Sequence, residues 1–206
     1  HVGAWEKMPP ARLAPYTAMD VWDGDGTGRV QFDARAVQAA QLGWIVENAV
    51  VTAALYQACA GQVDWRADAR ITSVQRDGAV WKVRTGDGDT FNAHLLVGAD
   101  GARSSIRSLA GIAAAPRDSG HVAIVATIET DLPHGDCARQ RFLETGPLAL
   151  LPLFGDGKRF SLVWSATPGL SQELMALDDA AFSRALTLAS EEVLGQCRLA
   201  GRRAAF

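Results

Sequence analysis

The sequence predicts a mixed fold of the α/β (α+β) class, with an antiparallel sheet in the second half of the chain. Three observations predict it. Residues 63–100 and 121–166 form strand-like runs in which apolar and polar side chains alternate. Stretches 48–60 and 170–196 instead repeat apolar residues at helical spacing. Between them, "LLVGAD" is a short apolar run ending on glycines and a carboxylate, the type of strand buried on both faces of a sheet.

In chain order, "YTAMDVWDGDGTGRVQFDA" reads as a hairpin, because Met19 and Val21, then Val30 and Phe32, alternate with polar neighbours around glycines. "WIVENAVVTAALYQACAG" gives a short extended run and then a helix. Val50, Val51, Ala54, Leu55 and Ala58 fall on one face, and Gly61 stands where a C-terminal cap belongs. Residues 63–100 read as β throughout, with Asp77-Gly78 as a two-residue hairpin turn and "GDGD" as another turn. Ser104 to Ala110 suits a short helix closed by Gly111. "HVAIVATIETD", "ARQRFLE", "LALLPLF" and "RFSLVWSA" are four strands, the last two joined by Gly155-Asp156-Gly157. Leu170 to about Gln196 reads as helix, with Leu174, Leu177, Phe182, Leu186 and Leu194 as its apolar set.

The totals bound the class. A chain of 206 residues suffices for one large domain or two small ones. A net charge of −3 argues against nucleic acid, which wants clustered Lys and Arg. Cys59, Cys137 and Cys197 are too few and too far apart for a disulfide framework or a zinc site, and suit a reducing, cytosolic setting. No apolar run is long enough to span a bilayer. The absence of an initiating Met, and a last segment "LAGRRAAF" that reads as the start of a strand, suggest an internal piece of a longer protein.

Several motifs carry chemistry on paper. "DGDGTGRVQFDA" places Asp23, Asp25, Thr27, Gly28 and Val30 on the positions of a calcium loop. Its twelfth position is Ala34, however, where a bidentate glutamate is required, and its flanks are strands rather than helices, so a tight hairpin turn is expected. His134, Asp136 and Cys137 in "PHGDC" are adjacent residues of a Pro/Gly loop with no second cluster to complete a metal shell, and no metal is expected. "GDGTG" lacks the following helix that a phosphate loop needs. "LLVGADG" differs. A short apolar strand ending in Gly98-Ala99-Asp100-Gly101 lies where α/β folds bind nucleotides. The glycines bare the backbone, and the acid accepts hydrogen bonds from sugar hydroxyls or amides. A plain strand followed by an Asp-Gly turn fits the same residues, and local chemistry leaves both readings open.

Context adds a resemblance. "LLVGADGARSSIR" resembles the second fingerprint of the class A FAD-dependent aromatic monooxygenases, the para-hydroxybenzoate hydroxylase group. "LGWIVENAVVTAAL" looks like the helix entry of their ubiquinone-biosynthesis branch, and "QRFLETGPLALLPLFGDGKRFSLVWSATP" is similar to that branch's substrate-domain strands. The family's Gly-x-Gly-x-x-Gly and Gly-Asp-Ala-Ala-His segments are not in this sequence, and Val51 stands where leucine is usual.

The resemblance implies a partial FAD-binding Rossmann-like layer at 34–115, and an antiparallel or mixed substrate-domain sheet covered by helices from 1–33 and 116–206. It implies hydroxylation of an aromatic ring with FAD, NAD(P)H and O2, acting on a polyprenyl phenol. An apolar sheet such as Leu148–Leu153 would wall the substrate pocket. Cofactor contacts are expected from Asn48, Gly98, Asp100, Gly101 and Arg107, although a plain helix cap at Asn48 and a solvated Arg107 fit as well. No catalytic residue is assigned. The expected partner is a small aromatic molecule and not nucleic acid. The expected setting is the cytoplasm, at the periphery of the inner membrane or in a multi-enzyme complex. Two alternatives stay open: a folded fragment that binds no flavin alone, and a flavin hydroxylase for a small phenolic or antibiotic-like substrate.

Overall fold

The structure is a computed structural model that describes residues 2–115 and 118–206. In chain order its elements are β1 (Leu13–Tyr16), β2 (Ala18–Asp23), β3 (Arg29–Asp33), β4 (Gly43–Val46), α1 (Asn48–Cys59), β5 (Ile71–Asp77), β6 (Val80–Thr85), β7 (Thr90–Ala93), α2 (Ser105–Leu109), β8 (Val122–Thr130), β9 (Cys137–Leu143), β10 (Gly146–Pro152), β11 (Arg159–Ala166), α3 (Pro168–Ala176), α4 (Asp179–Ala189), β12 (Cys197–Leu199) and β13 (Ala204–Ala205). They form two compact units, residues 1–60 with 118–206 and residues 61–117. Residues 34–60, which the sequence reading grouped with the following β segment, fall in the larger unit.

The larger unit is built on an eight-stranded sheet in the order β12-β8-β11-β10-β9-β2-β3, with β13 also paired to β8. All its pairings are antiparallel except β2 with β9, which runs parallel from Ala18↔Cys137. Strict alternation sends Ile124, Ile128, Leu148, Leu150, Phe160 and Leu162 to one face, where they are buried under α3 and α4. Leu174, Phe182 and Leu186 meet them from the helices. Burying one such side chain stabilises by about 1.5–3 kcal/mol, so this layer dominates the fold. The opposite face, which carries Ala149, Leu151 and Val163, is only half buried. Leu148–Leu153 therefore divides: Leu148 and Leu150 are core, and Ala149 and Leu151 face the other way.

Gly146 shows how closely β10 and β11 approach. Its φ is +128°, and a Cβ there would stand 2.3 Å from the Ser165 carbonyl oxygen. Arg203 closes the C-terminal end of α3. Its guanidinium donates to the Leu174 and Leu177 carbonyls at 2.9 and 2.7 Å, and lies over the Phe182 ring. A cation at this end also meets the negative pole of the helix dipole.

The expected helix from Leu170 to Gln196 is two helices. Leu177 is extended, and the Asp178 carboxylate accepts the Ala181 amide at 2.7 Å as the N-cap of α4. A capping Asp thus overrides an unbroken apolar period. In α1, Ala54 and Ala58 pack on Ala4 and Met8, whereas Leu55 points outward. The Met19/Val21 and Val30/Phe32 hairpin is β2–β3, with Met19↔Phe32 and Val21↔Val30 in register.

The smaller unit is the antiparallel meander β5-β6-β7 with α2. Its core is Val74, Val83 and Ile106. The Asp77-Gly78 turn joins β5 to β6, with Gly78 at φ +60°. The expectation of β throughout 63–100 holds only for part of that range, since 63–70 and 94–100 are irregular. Leu95–Val97 is no doubly buried strand: Leu95 and Val97 are 76% and 71% exposed, and only Leu96 packs against the core. A strand exists through its ladder, and among the described residues none pairs with this run.

Candidate functional site

In the smaller unit, the segment after Leu96 turns back at Gly98–Gly101 and enters α2. Asp100 sits at the entry. One carboxylate oxygen accepts the Ser104 hydroxyl, and the other accepts the Ser105 amide at 2.7 Å, the Ser105 hydroxyl at 3.0 Å and the Ile106 amide at 3.2 Å. Ser104 is in turn the N-cap, its oxygen accepting the Arg107 amide at 3.0 Å. Asp100 therefore satisfies the amides that open α2, either directly or through Ser104.

Donation from the Ser104 hydroxyl, supported by the Ile106 amide and the Ser105 hydroxyl, holds the Asp100 carboxyl well below the usual carboxylate range. The group is exposed and ionised at neutral pH. The oxygen that takes the Ser104 hydroxyl keeps acceptor capacity toward solvent.

The two glycines have different causes. A Cβ on Gly98 would stand 3.0 and 3.1 Å from the Ile106 side chain, so its hydrogen permits α2 to pack close. Gly101 has open space around it but φ +85°, a left-handed conformation that glycine adopts freely. Beside them lies a cavity of about 320 Å³, lined by Trp81, Leu96, Gly98, Ile106, Arg107 and Ala110 among others. Arg107 does not pair with Asp100. Its guanidinium donates to the Ala102 carbonyl at 2.8 Å.

Asn48 belongs to the larger unit, and Gly98, Asp100, Gly101 and Arg107 belong to the smaller one. It is not the helix cap. Glu47 occupies the N-cap position without a side-chain capping bond, and Asn48 is the exposed first residue of α1. The Glu47 carboxylate is drawn off by Arg12, whose guanidinium lies over Phe154. The first amides of α1 are thus left without a side-chain cap. Sequence reasoning missed the Ser105 hydroxyl and Trp81. The spacing of Asp100 to Ser104 and Ser105, an acid just ahead of an N-cap serine, was the available signal for the former; nothing local marked Trp81.

Both ring nitrogens of His134 are engaged by backbone groups. Its Nδ1 accepts the Asp136 amide at 2.9 Å, leaving Nε2–H to donate to the Leu153 carbonyl at 3.2 Å. In the larger unit a polar crevice of about 470 Å³ is lined by Asp20, Trp22, Arg29, Arg139 and Glu191 among others. Its charges are largely paired internally, Arg29 with Asp20 and Glu191 with Arg141.

Comparison with known proteins adds three findings. A protein-family model described as an FAD binding domain matches residues 30–196. The mitochondrial ubiquinone biosynthesis monooxygenase COQ6 of Xenopus tropicalis is 35% identical over 197 residues, covering 87% of this chain and 40% of the relative. The 3-demethoxyubiquinol 3-hydroxylase of Escherichia coli is 30% identical over 179 residues, covering 86% of this chain and 45% of the relative. This chain thus spans less than half the length of these relatives. A crystal structure of a Pseudomonas aeruginosa PqsL variant superposes with a TM-score of 0.76 at 20% identity, over 99% of this chain and 58% of that one, a likeness of fold.

Proposed function

Because the chain belongs to the FAD binding domain family, matched over residues 30–196, we propose that its protein is an FAD-dependent monooxygenase. It hydroxylates the aromatic ring of a ubiquinone precursor, a polyprenyl phenol, using NAD(P)H and O2. The names of the relatives support the reaction class and the substrate. One observation of this chain carries the reading: an ionised, exposed carboxylate, Asp100, hydrogen-bonded to the opening of α2 between two glycines beside a cavity.

These residues fit a nucleotide cofactor. Asp100 keeps acceptor capacity for a sugar or ribityl hydroxyl, Gly101 leaves the backbone bare for close approach, and Gly98 lets α2 pack close behind the carboxylate. The uncapped first turn of α1 at Asn48 offers amides to a phosphate. Arg107 has donors left after its bond to Ala102. Bound FAD supplies the redox chemistry, accepting hydride from NAD(P)H and activating O2. The half-buried face bearing Ala149, Leu151 and Val163 gives an apolar wall that excludes water from the reacting ring. A polyprenyl substrate would sit in a bilayer, which supports a setting in the cytoplasm at the periphery of the inner membrane; among the described residues no helix is long and apolar enough to cross a membrane.

The second reading concerns the chain alone. Its 206 residues contain no Gly-x-Gly-x-x-Gly segment, which supports a folded chain that needs further family segments to hold flavin. The test compares FAD occupancy and the rate of flavin reduction by NAD(P)H, with and without Asp100→Ala, in a protein carrying the complete family segments. Occupancy or reduction falls while aromatic-substrate affinity holds. Unchanged occupancy together with unchanged reduction would sink the assignment of Asp100.

A further inference from the structure

Among the described residues, β3 ends the eight-stranded sheet and has a neighbour, β2, on one side only. The ladder fixes which way its backbone points. Asp23 donates to the Gly28 carbonyl and Ala34 to the Thr17 carbonyl, both at 2.9 Å. Val21/Val30 and Met19/Phe32 are therefore the hydrogen-bonded pairs, and the amides and carbonyls of Arg29, Gln31 and Asp33 face outward. Proteins usually blunt such an edge with Pro, charged side chains, a bulge or a very short strand. The opposite side of this sheet obeys the rule, since β12 and β13 are 3 and 2 residues long. β3 has charges only at its ends, Arg29 and Asp33, and none at its centre. It reads Arg-Val-Gln-Phe-Asp, pairs with β2 without a register shift, and leaves Val30 and Phe32 55% and 51% exposed.

The geometry points to a second copy of this chain as the partner of this edge. We propose that two copies pair β3 antiparallel about a two-fold axis at Gln31, joining their sheets into one. The sequence of the edge is complementary to itself in that register. Gln31 faces its own copy, and Arg29 faces Asp33 of the second copy, using the outward amides and carbonyls. Val30 faces Phe32 of the second copy at the non-hydrogen-bonded positions, where side chains approach most closely. Slipping by a residue pair sets Gln31 against Asp33 and leaves Arg29 unmatched. The intrachain contacts of these charges, Arg29 to Asp20 and Arg35 to Asp33, leave the side chains of Arg29 and Asp33 60% and 40% exposed. An isologous contact of this kind closes on itself.

The test is light scattering on the 206-residue chain over a dilution series. Dimerisation is expected to depend on concentration, and Gln31→Pro to raise the dissociation constant by about tenfold or more. Proline removes an outward amide and spares the β2–β3 ladder, which circular dichroism checks. A second variant guards against misfolding. Pairing at the two-fold axis brings the Cα of residue 31 to about 5.5 Å from its copy, within disulfide reach. Gln31→Cys should therefore cross-link on oxidation beyond the wild-type background, and Arg29→Cys should not. A chain that is monomeric at every concentration, a dimer indifferent to Gln31→Pro, or equal cross-linking at 29 and 31 overturns the proposal.

Discussion

Asp100 and its two serines show one motif meeting a local need and leaving capacity for another. The folded-state pKa of Asp100 lies below its unfolded value. Its contribution to stability is therefore present above about pH 4 and is lost only as pH falls through the depressed folded value. A urea titration of the small unit should show this contribution flat from neutral pH down to mild acid, and Asp100→Asn should remove the loss at strongly acidic pH. Ser104→Ala deletes the N-cap and is expected to cost about 1 kcal/mol. The glycines separate in the same assay. Gly98→Ala forces a methyl against the buried Ile106 and should cost about 1–3 kcal/mol. Gly101→Ala meets no atom within 4 Å and pays only for its positive φ, on the order of 1 kcal/mol. Equal costs at the two positions would mean that α2 shifts to make room.

At the scale of elements, the legible parts were those governed by short-range pattern. The β2–β3 hairpin, the Asp77-Gly78 turn and the strands β8 to β11 each announce themselves through alternation and a turn residue. The break between α3 and α4 was written in Asp178, but the apolar period on either side masked it. Leu95–Val97 failed for a different reason. Its composition reports an environment, two covering layers, which pairing partners must supply, and composition cannot say whether they are present. That Arg107 bonds the Ala102 carbonyl, and that Glu47 and not Asn48 takes the N-cap position of α1, both depend on the path of neighbouring loops. A measurable consequence follows for the chain as it stands. Leu95→Ser and Val97→Thr should change its stability by no more than about 0.5 kcal/mol, as exposed substitutions do. Leu162→Ala, at a fully buried position under the helices, should cost about 2–5 kcal/mol. Large losses at 95 or 97 would show that the run is covered after all.

Over the whole molecule the division of apolar burial is unequal. The large unit packs α3 and α4 on a continuous layer, whereas the small unit relies on Val74, Val83 and Ile106. The parallel joint between β2 and β9 has a further bearing, on the order in which the chain acquires its shape. Strands β8 to β11 are successive neighbours in sequence, or nearly so, and can zip with short loops. β2 and β3 must instead wait for β9, which the chain supplies only after α1 and the entire small unit. Closing that long loop costs entropy before any contact rewards it. Pulse-labelled hydrogen exchange during refolding should thus protect the amides of β10 and β11 early and those shared by β2 and β9 late. During synthesis, the β2–β3 hairpin would emerge before β9 and wait for its neighbour until the small unit has followed. Simultaneous protection of both sets would show that the parallel joint forms with the meander and not after it.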